Sequence, residues 1–279
     1  MRLDESIRLV AEDLVLALDP AEIMRRSGYR PDPWQLDFLE AREPRVFVLS
    51  PRQRGKSTVT AAKVGHRMLF VPGTKAVIVS RSLAQAREWM KRLKELYRPF
   101  AGRWPVKSET AGSLEIVCPS AGRRVSECIS VPRGDSGRGY SPTLLVIDEA
   151  GFHTDEDMSI VLPTVEATGG DIIALTTPSP QKSDRRWARS VWDSGAGWRR
   201  INVTPEACPR FVLDPEEQAR KRNELGDARF RREHLGEWFD EDDPGNPRLA
   251  SREASARLRA RLAGGTAGDD DGTPPARES

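Results

Sequence analysis

Apolar residues recur at helical spacing over the first 18 residues, where Ile7, Val10, Ala11, Leu14, Val15 and Leu18 share one face. Asp19-Pro20-Ala21-Glu22 then reads as a fresh N-cap, with proline at the first helical position and a capping glutamate, so a second short amphipathic helix follows. Pro31-Asp32-Pro33-Trp34-Gln35 breaks that pattern and leads into a helix over 36–41. Beyond it the period alternates. RVFVL at 45–49, KAVIVS at 75–80, LLVI at 144–147 and DIIALTT at 171–177 are short apolar runs of the kind that buried strands show. Between them, 57–69 carries a small apolar face (Thr58, Ala61, Ala62, Gly65, Met68, Leu69), and 83–97 places Leu83, Ala86, Met90 and Leu93 on its buried side. Strands near 114–118 and 124–131 have hairpin spacing. Such alternation predicts an α/β fold, a mainly parallel sheet with helices on both faces.

From Asp243 the composition turns to Pro, Gly, Asp, Arg and Ser, ending in GGTAGDDDGTPPARES. That predicts a disordered tail over 243–279, with a short helix near 254–262 as its one periodic stretch. The whole chain, 279 residues, is long enough for one large α/β domain. Its 44 Lys/Arg nearly balance 42 Asp/Glu, but basic residues cluster at 81–103, 185–200 and 220–232. Local basic faces suit a polyanion, and they equally suit solvated helix surfaces. Three cysteines, Cys118, Cys128 and Cys208, without a C-x-x-C, argue for a reducing compartment and against structural zinc. The acidic start MRLDESIRLV and the lack of a long apolar run predict a cytoplasmic protein with no membrane span.

The candidate chemistry sits at the ends of two strands. SPRQRGKST at 50–58 follows the first strand and opens a helix. In a P-loop, such a turn aims backbone N–H groups at phosphates, a lysine reaches the β- and γ-phosphates, and a hydroxyl holds Mg²⁺. Lys56 is therefore the phosphate lysine and Ser57 the Mg²⁺ ligand, with Gly55 and Thr58 completing the turn. The motif departs from its usual form in having Ser50 at the first glycine and Arg52 and Arg54 inside the loop. LLVIDEAG at 144–151 ends a second strand in adjacent carboxylates, Asp148 for the metal and Glu149 as a general base that polarises water. ATP and Mg²⁺ are the implied ligands. The order of elements predicts a P-loop NTPase of the RecA-like (ASCE) class at 31–242, with an extra strand between the two motif strands, behind an N-terminal helical segment at 1–30.

With its motifs in this order, the chain resembles the ATPase part of phage large terminase subunits, from about Asp19 to Trp238. PDPWQ at 31–35 is similar to the family's adenine-recognition segment, which makes Gln35 the reader of the base edge. The Arg-containing loop resembles the family's own, with Arg52 at the position of its cis arginine and Arg54 as a second candidate. Gly137-Arg138-Gly139-Tyr140 resembles an arginine-glycine element that supplies a finger in trans, which makes Arg138 catalytic for a neighbour. Thr176-Thr177-Pro178 is similar to the coupling motif that senses the γ-phosphate. Residues 80–93 look like the helix whose Gln85, Arg87, Lys91 and Arg92 face DNA or a neighbouring subunit, and ARFRREHLGEW at 228–238 looks like a closing lid helix and strand.

The resemblance implies an ATP-hydrolysing motor that packages double-stranded DNA. Its partners would be a portal protein, a small terminase subunit and sister copies in a homo-oligomeric ring, in the host cytoplasm. The family's nuclease domain is expected to be absent, because Asp240 to Asp243 and Asp269 to Asp271 cluster without strands to spread them. Two alternatives remain at this stage. A DEAD-like helicase would need a second core domain, and an inactive remnant would bind DNA or partners without turnover.

Overall fold

The computed structural model describes residues 3–119, 122–134, 139–179 and 184–238. Among them, eight strands form one sheet: β1 (Arg45–Leu49), β2 (Lys75–Ser80), β3 (Val106–Thr110), β4 (Ser113–Cys118), β5 (Arg124–Pro132), β6 (Leu144–Asp148), β7 (Asp171–Thr176) and β8 (Arg199–Asn202). Their order is β3-β4-β5-β2-β6-β7-β1-β8, parallel from β5 to β8 and antiparallel across β3-β4-β5. β7 lies between β1 and β6, so it is the extra strand expected between the two motif strands.

Side-chain alternation along the strands builds two cores. Val46, Val48, Ala76, Ile78 and Val146 face α4 (Lys56–Phe70) and α5 (Leu83–Tyr97), where Ala61, Val64, Met68, Trp89 and Leu93 meet them. Phe47, Val77, Val79, Leu145 and Ile147 face the opposite way, onto Met158, Val161 and Val165 of α6 (Asp155–Glu166) and Ala188 of α7 (Trp187–Ser194). Helices therefore cover both faces, as the continuous apolar runs require. Cys118, Cys128 and Cys208 are buried free thiols. No helix among the described residues is long and apolar enough to cross a membrane.

Several boundaries differ from the sequence reading. α3 (Pro33–Glu40) starts at Pro33, because Asp32 and Gln35 form a capping box and proline fits the first turn without an N–H to lose. α2 (Glu22–Arg26) starts at Glu22, after a turn in which Asp19 Oδ1 accepts the Ala21 N–H at 2.9 Å. α1 (Leu3–Leu18) forms, yet its apolar stripe of Ile7, Val10, Leu14, Val15 and Leu18 is exposed, while Leu16 is the buried side chain. Leu83, at the first position of α5, is half exposed, and Trp89, Leu96 and Tyr97 supply the buried side instead. β3 escaped prediction because all five of its residues are exposed.

After α8 (Pro215–Leu225) and α9 (Asp227–Phe230), the chain continues as a π-helical turn over Arg231–Leu235. The strand expected there does not form: Gly236 takes φ 72° and turns the backbone onto Pro51. The tail expected over 243–279, its short helix, and Asp240 to Asp243 lie outside the described residues.

Candidate nucleotide site

The loops leaving β1, β6 and β7 meet at the C-terminal ends of three neighbouring parallel strands, where open α/β sheets bind ligands. Ser50 N–H donates to Thr176 O at 3.0 Å and ties the first loop to the third. The loop turns through Gln53 (φ 61°) and Gly55 (φ 81°), both left-handed. Gly55 also answers a close approach, since a Cβ there would lie 2.7 Å from Gln35 Nε2. Ser50 is not among the positive-φ residues, so this position does not call for the glycine that the usual motif carries. α4 begins at Lys56, which leaves its first N–H groups facing the mouth of the loop.

Lys56 is buried, and its Nζ donates to Thr177 Oγ1 at 2.8 Å, Pro51 O at 3.0 Å and Ser50 O at 3.3 Å. Burial pushes its pKa down, while Glu149 and Asp148 oppose that shift. Asp148 closes β6 in full burial; that burial first, and Glu149 second, push its carboxyl up to about 7 against the pull of Lys56. Glu149 adopts φ 54° and ψ 47°, a conformation costing a non-glycine residue about 1 kcal/mol, and its Oε2 accepts the Thr177 N–H at 3.3 Å. His153 holds the same turn from behind, its Nε2–H donating to Asp148 O at 2.9 Å.

The two threonines act as a junction. Thr177 touches Lys56 through its hydroxyl and Glu149 through its N–H. Thr176 holds Ser50 through its carbonyl and receives the Gly151 N–H on its hydroxyl at 3.1 Å, while Ser179 Oγ donates to Gly151 O at 2.6 Å. Lys56 and Glu149 are thus linked through different atoms of one residue, Thr177.

Other expected site residues are placed differently. Gln35 is buried, with Oε1 accepting the Asp32 N–H at 2.9 Å and Nε2 donating to Arg54 O at 3.4 Å. Both ends of the amide that an adenine edge would need are thus engaged under the loop. Arg54 donates to Phe211 O at 2.9 Å and lies 4.9 Å from the centre of that ring, so its partners are outside the Lys56 cluster. Arg52 sits at the exposed side of the loop, its N–H donating to Glu233 O at 3.1 Å. Ser57 and Thr58 are partly buried on the first turn of α4. Arg138 and Gly137 lie outside the described residues; Gly139 has φ 97°.

Sequence reasoning gave no role of their own to Gly151, Ser179 and Glu233, and it missed the bidentate pair in which Arg210 donates to buried Asp32 at 2.8 and 2.6 Å. Gly151 and Glu233 lay inside LLVIDEAG and ARFRREHLGEW, and Ser179 stood directly after Thr176-Thr177-Pro178. Asp32 and Arg210 are 178 positions apart and gave no local signal.

Residues 47–256, three quarters of the chain, match the family model described as terminase large subunit, T4likevirus-type, N-terminal. Among solved structures, the ATPase domain of the Thermus phage P74-26 large terminase aligns with a TM-score of 0.66 at 20% identity, over 78% of this chain and 97% of that one. The large terminase of a second thermophilic bacteriophage gives 0.60 at 14% identity, over 75% and 54%. That of bacteriophage HK97 gives 0.59 at 18%, over 75% and 51%, so the chain spans about half the length of these two proteins. The second thermophilic phage's protein has also been solved with ADP and with ATP-gamma-S. No curated protein matches the chain. Likeness at this identity shows the shared P-loop α/β fold, and it is the family match that carries the further step: the chain belongs to the N-terminal, T4likevirus-type family of terminase large subunits.

Proposed function

We propose that the chain is an ATP-driven DNA-packaging motor domain that hydrolyses ATP with Mg²⁺. The observation that carries this is the chain of contacts from Lys56 through Thr177 to Glu149, beside buried Asp148. Lys56 would leave its loop carbonyls for the β- and γ-phosphates, and the N–H groups of the α4 first turn would take the remaining phosphate oxygens. Ser57 and Asp148 would hold Mg²⁺, which neutralises phosphate charge when bound. Among the described residues no three His, Cys, Asp or Glu gather at one point, in keeping with an ion held by one hydroxyl, one carboxylate and its substrate.

Glu149, aimed by its left-handed backbone, takes the proton of the attacking water. Thr177 and Thr176 sense loss of the terminal phosphate through Lys56 and pass it to the Gly151 turn. Arg52 is the arginine we assign to the γ-phosphate in cis, since Arg54 is committed to Phe211. Gln35 supports Gly55 and Arg54 from below, and contact with adenine would require it to release one of its present partners. Double-stranded DNA, a portal, a small subunit and sister copies, with Arg138 acting in trans, complete the reading.

Glu149→Gln tests it. The amide accepts no proton, so the variant should bind ATP as the parent does and hydrolyse it about 10²- to 10⁴-fold more slowly. Undiminished phosphate release would remove Glu149 from the mechanism.

A further inference from the structure

Glu149 depends on its backbone as much as on its side chain. Its φ of 54° is a strained value for a residue with a Cβ, and three contacts hold it there. Its carbonyl accepts the Phe152 N–H at 2.9 Å, and its carboxylate accepts the Thr177 N–H at 3.3 Å. The third contact acts on the peptide in front of it, where Asp148 O accepts Nε2–H of His153 at 2.9 Å. That oxygen and the Glu149 nitrogen belong to one planar group, so fixing the oxygen fixes the direction of the Glu149 N–Cα bond. With the carbonyls on both sides held, the left-handed turn is held as well.

His153 is placed to serve that bond. Its ring is 2% exposed, and its backbone leads directly into α6, where the Thr154 N–H donates to Asp157 at 2.8 Å and the Asp157 N–H donates to Thr154 at 3.0 Å. A carbonyl only accepts, so the ring proton sits on Nε2; burial lowers the pKa of the ring and leaves Nδ1 bare. Nδ1 is buried with no partner among the described residues. An unmet buried acceptor costs stability, and an apolar side chain would avoid that cost. What an apolar side chain cannot supply is the Nε2–H. Resting on the ATPase reading, we propose that His153 is a positioning residue for Glu149, acting through the carbonyl of Asp148. It keeps the Glu149 carboxylate where the attacking water gives up its proton, and leaves nucleotide binding to Lys56 and the loop.

The test is single-turnover hydrolysis of radiolabelled ATP by the full chain and its variants, with protein in excess and melting curves alongside. His153→Leu should slow hydrolysis about 10- to 100-fold, the cost of a reacting group displaced by up to an ångström. The Kd of ATP and the Mg²⁺ concentration for half-maximal rate should stay at the parent values. Its Tm should fall little, because loss of the bond is offset by removal of the unpaired Nδ1. His153→Gln, whose longer amide reaches the same carbonyl, should recover most of the rate, and His153→Asn, one carbon shorter, should not. In a Glu149→Gln background, His153→Leu should add no further loss, since the group it positions is gone. A merely structural His153 would slow both backgrounds alike, or track Tm from variant to variant; either result overturns the proposal, as does parental hydrolysis by His153→Leu. Should His153→Leu fail to fold, the Gln and Asn variants carry the same comparison. If Glu149→Gln is slow while every His153 variant is parental, the general-base reading stands and this inference falls. If Glu149→Gln hydrolyses like the parent, both fall.

Discussion

Replacing Gly151 by alanine probes the junction between the carboxylate turn and β7. The added Cβ would lie 2.7 Å from Ser179 Oγ, 3.0 Å from Thr176 Oγ1 and 3.3 Å from the Trp238 ring, on three sides of one methyl group. The first contact is shorter than real Cβ atoms tolerate, so something must shift. Ser179 and Thr176 are both bonded to the Gly151 backbone and cannot withdraw without giving up those bonds. Overpacking of this kind costs about 2 kcal/mol, which for a domain of this size lowers Tm by about 4–8 °C. Glu149 stands two residues upstream on the same turn, and its displacement by a fraction of an ångström to an ångström should cut kcat about 10- to 100-fold, with KM near the parent value because Lys56 is untouched. Differential scanning fluorimetry and steady-state phosphate release read the two effects. Adding Ser179→Ala removes the nearest atom but leaves the other two contacts, so it should restore about half of the lost Tm. A Gly151→Ala protein that melts and turns over like the parent would refute the packing argument, and a double variant no better than the single would exonerate Ser179.

Lys63→Met tests a second buried lysine. Lys63 Nζ donates to Phe38 O, Leu39 O and Ala41 O at 3.0, 3.0 and 2.6 Å at the end of α3, while burial pushes its pKa down to about 8. Three deserted carbonyls should outweigh the relieved charge, lowering stability at pH 7 by about 2 kcal/mol in urea unfolding. The deficit should widen as pH rises through 8, where the unfolded lysine still binds a proton that the folded one has released; stabilisation by Met would show that desolvation outweighs the three hydrogen bonds, and a deficit that shrinks would show that the folded lysine holds its proton more tightly than the unfolded one. For Arg138, mixing Arg138→Ala with Lys56→Ala subunits should restore hydrolysis that each variant lacks alone. Parental activity of Arg138→Ala at concentrations where the chain assembles would dismiss a trans role.

Both motif strands were legible in the sequence, because what makes them strands is local. Arg45–Leu49 and Leu144–Asp148 are short apolar runs bounded by turn or charged residues, and their buried positions need nothing beyond two covered faces. The lysine, the hydroxyl next to it and the carboxylate pair were readable for the same reason: a fixed spacing on a strand-turn-helix fixes where they sit. Local pattern failed where it had no apolar signature, as in β3, or where a side chain's partner is remote. The stripe on α1 reads as amphipathic from sequence alone, but which side meets the core is set by the elements beneath it, and Leu16 is the residue they bury.

Only the tertiary structure decided what each polar side chain does. Gln35, with an amide NH2 and a carbonyl oxygen, suits a purine edge by its chemistry, yet the fold brings Asp32 N–H and Arg54 O within reach and engages both groups. Arg52 and Arg54 are two residues apart in one loop and equal in the sequence; the backbone between them, left-handed at Gln53, sends one to Glu233 and the other to Phe211. Hydrophobic periodicity is written along the chain because burial depends on faces. Hydrogen-bond partners depend on where separate loops meet, and that is fixed only once β7 pairs between β1 and β6.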